Sequence, residues 1–129
     1  MTITQLIYTS QPFGFDDAML NGILVSARRN NPRLDITGCL ICRQDMYLQL
    51  LEGPEAAISA LYERIKVDDR HLAVISLSHE IVNERMFPDW AMRDDPAQSW
   101  LWPVEAVEAG ALHQASPGAL RAVFARVAG

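Results

Sequence analysis

No basic stripe runs through this chain, and no apolar run approaches the roughly 20 residues needed to span a bilayer. Its 11 Lys and Arg are scattered against 16 Asp and Glu, which gives a net charge of −5 and no surface suited to tracking phosphates. Direct contact with nucleic acid and insertion into a membrane are both excluded as expectations. Met1-Thr2-Ile3-Thr4 has neither the charged start nor the long apolar stretch of a secretion signal, so a cytoplasmic protein is expected. Cysteine is scarce. The two present, Cys39 and Cys42, have redox-motif spacing but no second half of a zinc site. They also sit in a strand-like run, where positions three apart point to opposite faces, whereas a reactive pair normally opens a helix. Two small core thiols are the expectation. His71, His79 and His113 show no ligand spacing, so no metal site is expected. A Gly-rich dinucleotide fingerprint, a catalytic thiol and a substrate base are missing as well, which speaks against an enzyme.

What the chain does have is a clear order of elements within 129 residues, the length of one domain. Gln5-Leu6-Ile7-Tyr8-Thr9-Ser10 reads as a strand, and Pro12-Phe13-Gly14 as a turn. Asp16 or Asp17 can then cap a helix whose apolar face is Leu20, Ile23, Leu24 and Ala27. Arg28 and Arg29 suit its negative end, Asn30 or Asn31 can take a left-handed cap, and Pro32 prevents continuation. A strand follows from Asp35 to Cys42, and the polar turn Arg43-Gln44-Asp45 joins it to Met46-Tyr47-Leu48-Gln49-Leu50-Leu51. A second helix is expected from Pro54, with Ala57, Ile58, Leu61, Tyr62 and Ile65 inward, ending near Asp68. Ala73-Val74-Ile75-Ser76-Leu77 is a fourth strand, and a weaker extended segment is expected through Trp90-Ala91-Met92.

This βαββαβ order with one extra strand predicts an α+β, ferredoxin-like fold. Its first and third strands lie side by side at the centre, and both helices cover one sheet face. Gln49 interrupts an otherwise apolar central strand, and a buried primary amide left unpaired costs on the order of 1–3 kcal/mol. Tyr8, on the other central strand, is the natural partner. If both side chains point toward the helices, they meet beneath a groove that could take a flat ligand. From the pattern alone, the simpler account is a satisfied Tyr–Gln hydrogen bond in an ordinary core.

Six segments in order bear on that choice: Leu6-Ile7-Tyr8-Thr9-Ser10, Ser26-Ala27-Arg28-Arg29-Asn30-Asn31, Asp35-Ile36-Thr37-Gly38, Leu48-Gln49-Leu50-Leu51-Glu52-Gly53, Asp68-Asp69-Arg70-His71 and Arg85-Met86-Phe87-Pro88-Asp89-Trp90-Ala91-Met92. Together they closely resemble the BLUF family of blue-light receptors, over about residues 3–93. The resemblance implies a non-covalent flavin, FAD as a rule with FMN or riboflavin possible, inserted between the two helices. It implies that Tyr8 is the photochemical electron and proton donor and that Gln49 is the amide linking this phenol to the flavin. Asn31 matches the side chain that holds the C4 carbonyl and N3 edge of the ring, and Asn30 matches a neighbouring ring contact. Arg64, Asp68, Arg70 and His71 fall where family members contact the pyrimidine edge, the ribityl chain or the nearby surface. Trp90 and Met92 match the signalling positions, one or the other of which approaches Gln49; the sequence does not say which.

Plainer roles exist for some of these residues. Asn31 could be a helix C-cap before proline, and Asp68, Arg70 and His71 a solvated charged turn. Residues 1–95 are expected to form the flavin-binding domain. Residues 96–129 are expected to be a tail with two short helices, the second presenting Leu120, Val123, Phe124 and Val127 on one face, packed on the sheet face opposite the flavin. Such a tail is too short for an output enzyme, so the signal is expected to pass to an unidentified downstream protein or through a homo-oligomer. Two other functions would use the same groove: dark electron transfer by a bound flavin, or a pigment-free interaction module.

Overall fold

The computed structural model describes residues 2–12, 17–43, 45–68, 71–90, 92–96 and 101–128. Short, largely apolar runs form β1 (Ile3–Pro12), β2 (Thr37–Arg43) and β3 (Met46–Gly53), the last two buried along most of their length, and helical periodicity forms α1 (Asp17–Asn30) and α2 (Glu55–Lys66). β4 (His71–Val82) and the short β5 (Arg93–Pro96) follow. Among its described residues the tail carries α3 (Val104–Glu108), α4 (Ala111–Gln114) and α5 (Pro117–Ala128), one helix more than expected.

The strands form one five-stranded sheet in the order β4-β1-β3-β2-β5. The first four pair antiparallel and β5 adds parallel to β2, so the ferredoxin-like α+β arrangement holds. Every residue of β3 is buried, because both sheet faces are covered. On one face Leu6, Tyr8, Leu40, Leu51 and Met92 pack with Ile23 and Leu24 of α1 and Ile58 of α2. On the other, Ile7, Ile41, Leu48 and Leu50 pack with Leu112, Leu120 and Phe124 of the tail. At Gly38 of β2 a Cβ would lie 2.1 Å from the Leu50 carbonyl oxygen of β3, so no larger residue fits without moving the backbone.

Several local expectations need correction. Neither Asn30 nor Asn31 takes the left-handed cap; Asn31 is right-handed (φ −61°, ψ −40°), and the chain continues into a 3-10 turn at Pro32–Leu34. The left-handed residue is Asp35 (φ 58°), whose use as a cap delays β2 to Thr37. Pro54 is the N-cap of α2 (ψ 140°) and not its first helical residue, whereas the helix end, at Lys66 with Val67 as C-cap, falls near Asp68 as expected. β4 extends well beyond Ala73–Leu77 at both ends, with register shifts against β1. No strand includes Trp90. The extended segment starts at Arg93, after the Trp90 carbonyl has accepted a bond from the Gly38 N–H at 3.0 Å. The expected turn at Phe13-Gly14, the capping candidate Asp16 and Ala91 lie outside the described residues.

Candidate functional site

α1 and α2 leave between them a cavity of about 210 Å³, floored by β1 and β3. Tyr8 and Gln49 are direct register partners across those strands, so their side chains rise on the same face. Both are buried, and the Tyr8 hydroxyl donates to Gln49 Oε1. The other end of the amide is also engaged: Gln49 Nε2 donates to Met92 Sδ at 3.2 Å. Met92 is 1% exposed and belongs to the helix-side core, whereas Trp90 is 48% exposed with Arg93 lying 5.6 Å over its ring. The structure therefore places Met92 inside and Trp90 outside.

Asn31 follows α1 directly and lines the cavity while only 1% exposed. Its backbone is tied on both sides: its N–H donates to Ala27 O at 2.8 Å, and its carbonyl accepts from Leu34 N at 3.0 Å and Ile36 N at 2.9 Å. The proline-led 3-10 turn thus locks the position from which the amide enters the cavity. Asn30 lines it too, with Oδ1 accepting from Arg33 at 2.7 Å. Arg64, exposed on α2, and the half-buried Asp68 complete the polar lining. Arg70 lies outside the described residues, and of His71 only the backbone is described, as the first residue of β4.

The apolar walls come from Ile23 and Ala27 on α1 and from Leu61 and Ile65 on α2. These are the helix faces expected to turn to the core, and Ser26 beside them is a lining residue not expected from the sequence. The helical period held the signal, since Ile23, Ser26, Ala27 and Asn30 stand at i, i+3, i+4 and i+7 of one face. Tyr62 lies beside the site, its ring 5.7 Å from that of Tyr8 at 59°. Burial raises its phenol above the ordinary value of 10.0 against the opposing pull of Lys66, so it is a neutral neighbour at physiological pH. Among the described residues, no group of three or more His, Cys, Asp or Glu is placed to hold a metal ion.

Three side-chain amides and a phenol lining a slot with aliphatic walls suit a flat heterocycle with carbonyl and N–H groups on one edge. Arg64 is a cation suited to a polar or anionic extension of such a ligand. Fold and slot together define a ferredoxin-like ligand-binding domain. The chain belongs to the BLUF family, described as sensors of blue light using FAD, which it matches over residues 3–93. Members of this family are flavin-binding blue-light sensors.

Similarity to individual proteins agrees. The chain is 37% identical over 95 residues to the photoactivated adenylate cyclase subunit beta of Euglena longa, a match covering 70% of this chain and 11% of that protein. It is 36% identical over 88 residues to the blue light- and temperature-regulated antirepressor BluF of Escherichia coli strain K12, covering 66% of this chain and 21% of that protein. Against these curated relatives the chain thus spans between about a tenth and a fifth of their length. Among solved structures, the dark state of the BLUF protein BlrB superimposes with a TM-score of 0.80 at 27% identity, covering 98% of this chain and 95% of that one. A bacterial light-regulated adenylyl cyclase superimposes with a TM-score of 0.71 at 30% identity, covering 98% of this chain and 38% of that one.

Proposed function

We propose that this chain is a blue-light photoreceptor in which Tyr8 and Gln49 perform the photochemistry and Met92 reads the result. The observation that carries this is the buried relay Tyr8–Gln49–Met92, with both ends of one amide engaged at the floor of the slot. A bound flavin supplies the absorption of blue light and an excited state that takes up an electron. The Tyr8 phenol is the donor. Once oxidised it is strongly acidic, and its proton leaves along the existing bond to Gln49 Oε1. When the electron and a proton return to Tyr8 and restore its phenol, the Gln49 amide is left rotated or tautomerised, with its donor and acceptor ends rearranged. Rotation has a consequence for Met92: a thioether accepts weakly from N–H but has nothing to donate to a carbonyl, so the contact at Nε2 is lost.

Asn31 and Asn30 hold the ring edge, Arg64 and Asp68 hold the chain extending from the ring, and Arg70 and His71 are assigned to the same region. FAD is the expected flavin, on the family's description; FMN and riboflavin share the ring that these residues meet. The chain is read as a sensor and not an enzyme, with residues 1–95 as the flavin-binding domain and 96–129 as a tail that light redocks. Output then passes to a separate cytoplasmic protein or through a homo-oligomer. The cyclase relatives, in which a BLUF region is a small part of a longer chain, support the idea of an output carried by other protein.

Absorption spectra of the purified protein in darkness and under blue light test this. A reversible red shift is expected. Tyr8→Phe should keep the pigment and lose the shift, since only a hydroxyl is removed. Normal photocycling in that variant contradicts the donor role, bleaching with turnover points instead to dark redox chemistry, and absence of pigment to a plain interaction module.

A further inference from the structure

Three residues beyond Gln49, on the tail side of the sheet, Glu52 is 0% exposed. An ionised carboxylate is costly to bury unless N–H groups surround it. Here the Met86 backbone N–H donates to both Glu52 oxygens at 2.8 Å, and that of Phe87 donates to Oε1 at 2.9 Å. Gln5 Nε2 donates to Oε2 at 3.2 Å. Arg85 ties down the same loop, donating to the Glu52 carbonyl at 3.0 Å, Thr37 Oγ1 at 2.8 Å and the Asp35 carbonyl at 2.8 Å. Hydrogen bonds to an ionised acceptor are roughly twice as strong as neutral ones. The connection between β4 and β5 is therefore clamped to β3 at residues 86–87.

From that clamp the segment reaches both sides of the sheet. Phe87, 1% exposed, lies in the tail-side core and meets the ring of Phe124 edge-on at 6.5 Å. Met92 lies in the helix-side core against Gln49. Between them the Trp90 carbonyl is held by Gly38. We infer that Glu52 is a positioning residue for signal output, the fixed point about which residues 86–92 turn when the Gln49 amide releases Met92. With the point held, displacement of Met92 moves Phe87 against α5. Without it, the loop absorbs the displacement and the tail is not informed. This rests on the photoreceptor reading above.

The test uses the full flavin-loaded chain, with amide hydrogen exchange and absorption both recorded in darkness and under blue light. Glu52→Gln removes the charge and the Oε2 acceptor: the Met86 and Phe87 N–H groups keep one oxygen to donate to, but as weaker neutral bonds, and the new NH2 stands where Gln5 Nε2 donates. It should keep the light-induced red shift, exchange the 86–87 amides about tenfold faster in the dark, and lose most of the light–dark difference across residues 117–128. A merely structural Glu52 would lower stability and leave that difference intact. Gln5→Met is the milder variant. It removes one donor to Glu52 and also the Gln5 Oε1 atom, which is buried with no hydrogen-bond partner, so it should fold and show the same uncoupling in lesser degree.

A folded Glu52→Gln, or if that variant does not fold a folded Gln5→Met, whose tail responds to light as fully as the wild type overturns the inference alone. So does a wild type that shifts its spectrum without any change across residues 117–128. Loss of the red shift in Glu52→Gln overturns it as well, by placing Glu52 in the photochemistry. Absence of a shift in the flavin-loaded wild type overturns the photoreceptor reading and this inference with it.

Discussion

Replacing Asn31 by alanine removes a buried amide while leaving the backbone bonds from residue 31 to Ala27, Leu34 and Ile36 in place. The helix end should survive and the ligand contact should not. Loss of one hydrogen-bonding side chain is worth about 1.4 kcal/mol, or about tenfold in flavin affinity. Flavin retained after dialysis measures this, and full retention would leave Asn31 as a helix-end residue only. At this scale the sequence was informative where a residue type clashed with its surroundings. An amide in the apolar run of β3 calls for partners, which made Tyr8 on the neighbouring central strand the natural candidate, and the register sets the two directly opposite. Trp90 and Met92 offered no such clash. Both are large and apolar, and only the path of the preceding loop decides that Met92 is buried and Trp90 is not.

Elements are joined at their ends by bonds that periodicity does not reveal. Glu55, in the first turn of α2, accepts from Thr4 Oγ1 on β1 at 2.6 Å and lies 3.2 Å from His79 Nε2 on β4. The Thr4 hydroxyl first, and His79 next, hold its carboxyl below the ordinary 4.5. A depressed folded-state value means that this stabilisation is fully present above about pH 4.5 and is lost as pH falls through the lower, folded value. Because the group is exposed, the effect is small, under about 1 kcal/mol. Thermal unfolding should find Glu55→Gln slightly less stable than wild type at pH 7, with the gap closing toward pH 3.

Element boundaries were harder to read than element types, for physical reasons. Asp35 adopts a left-handed conformation within a stretch that otherwise reads as strand. β4 is an edge strand, so Leu72, Ile75 and Ile81 remain exposed and blur the alternation that would have given its length. β5 is short and polar, Arg-Asp-Asp-Pro, and forms only because β2 offers a free edge for parallel pairing.

Over the whole molecule, the tail closes the second face of the sheet. Phe124 is fully buried beneath it, and Arg121 of α5 donates to Glu80 of β4 at 2.6 Å. Arg43, at the end of β2, donates to the Trp102 carbonyl at 2.8 Å, which fixes the tail's entry. Phe124→Ala should cost about 3–5 kcal/mol of stability, read by denaturant unfolding, while the dark flavin spectrum changes little because the cavity lies on the other face. A large change in that spectrum would mean that the two faces are coupled even in the dark. The amphipathic face of α5 was legible in its sequence, and so was its place on the sheet face left bare by α1 and α2. The three-helix form of the tail was not, since α4 is a single turn between Gly110 and Ala115 with no period of its own.

Residue order alone determined the succession of strands and helices, the alternation of faces along each strand, and Tyr8 as the natural partner for Gln49, because these follow from local periodicities of two and 3.6 residues and from the chemistry of a buried amide; the register that sets Tyr8 opposite Gln49 did not follow from them. Only the tertiary structure decided that Met92 takes the other end of the amide, that Asn31 is locked into the wall by a 3-10 turn, and that Glu52 grips the β4–β5 connection. Each of these depends on where a loop returns in space, and that path is set by bonds between residues far apart in the chain.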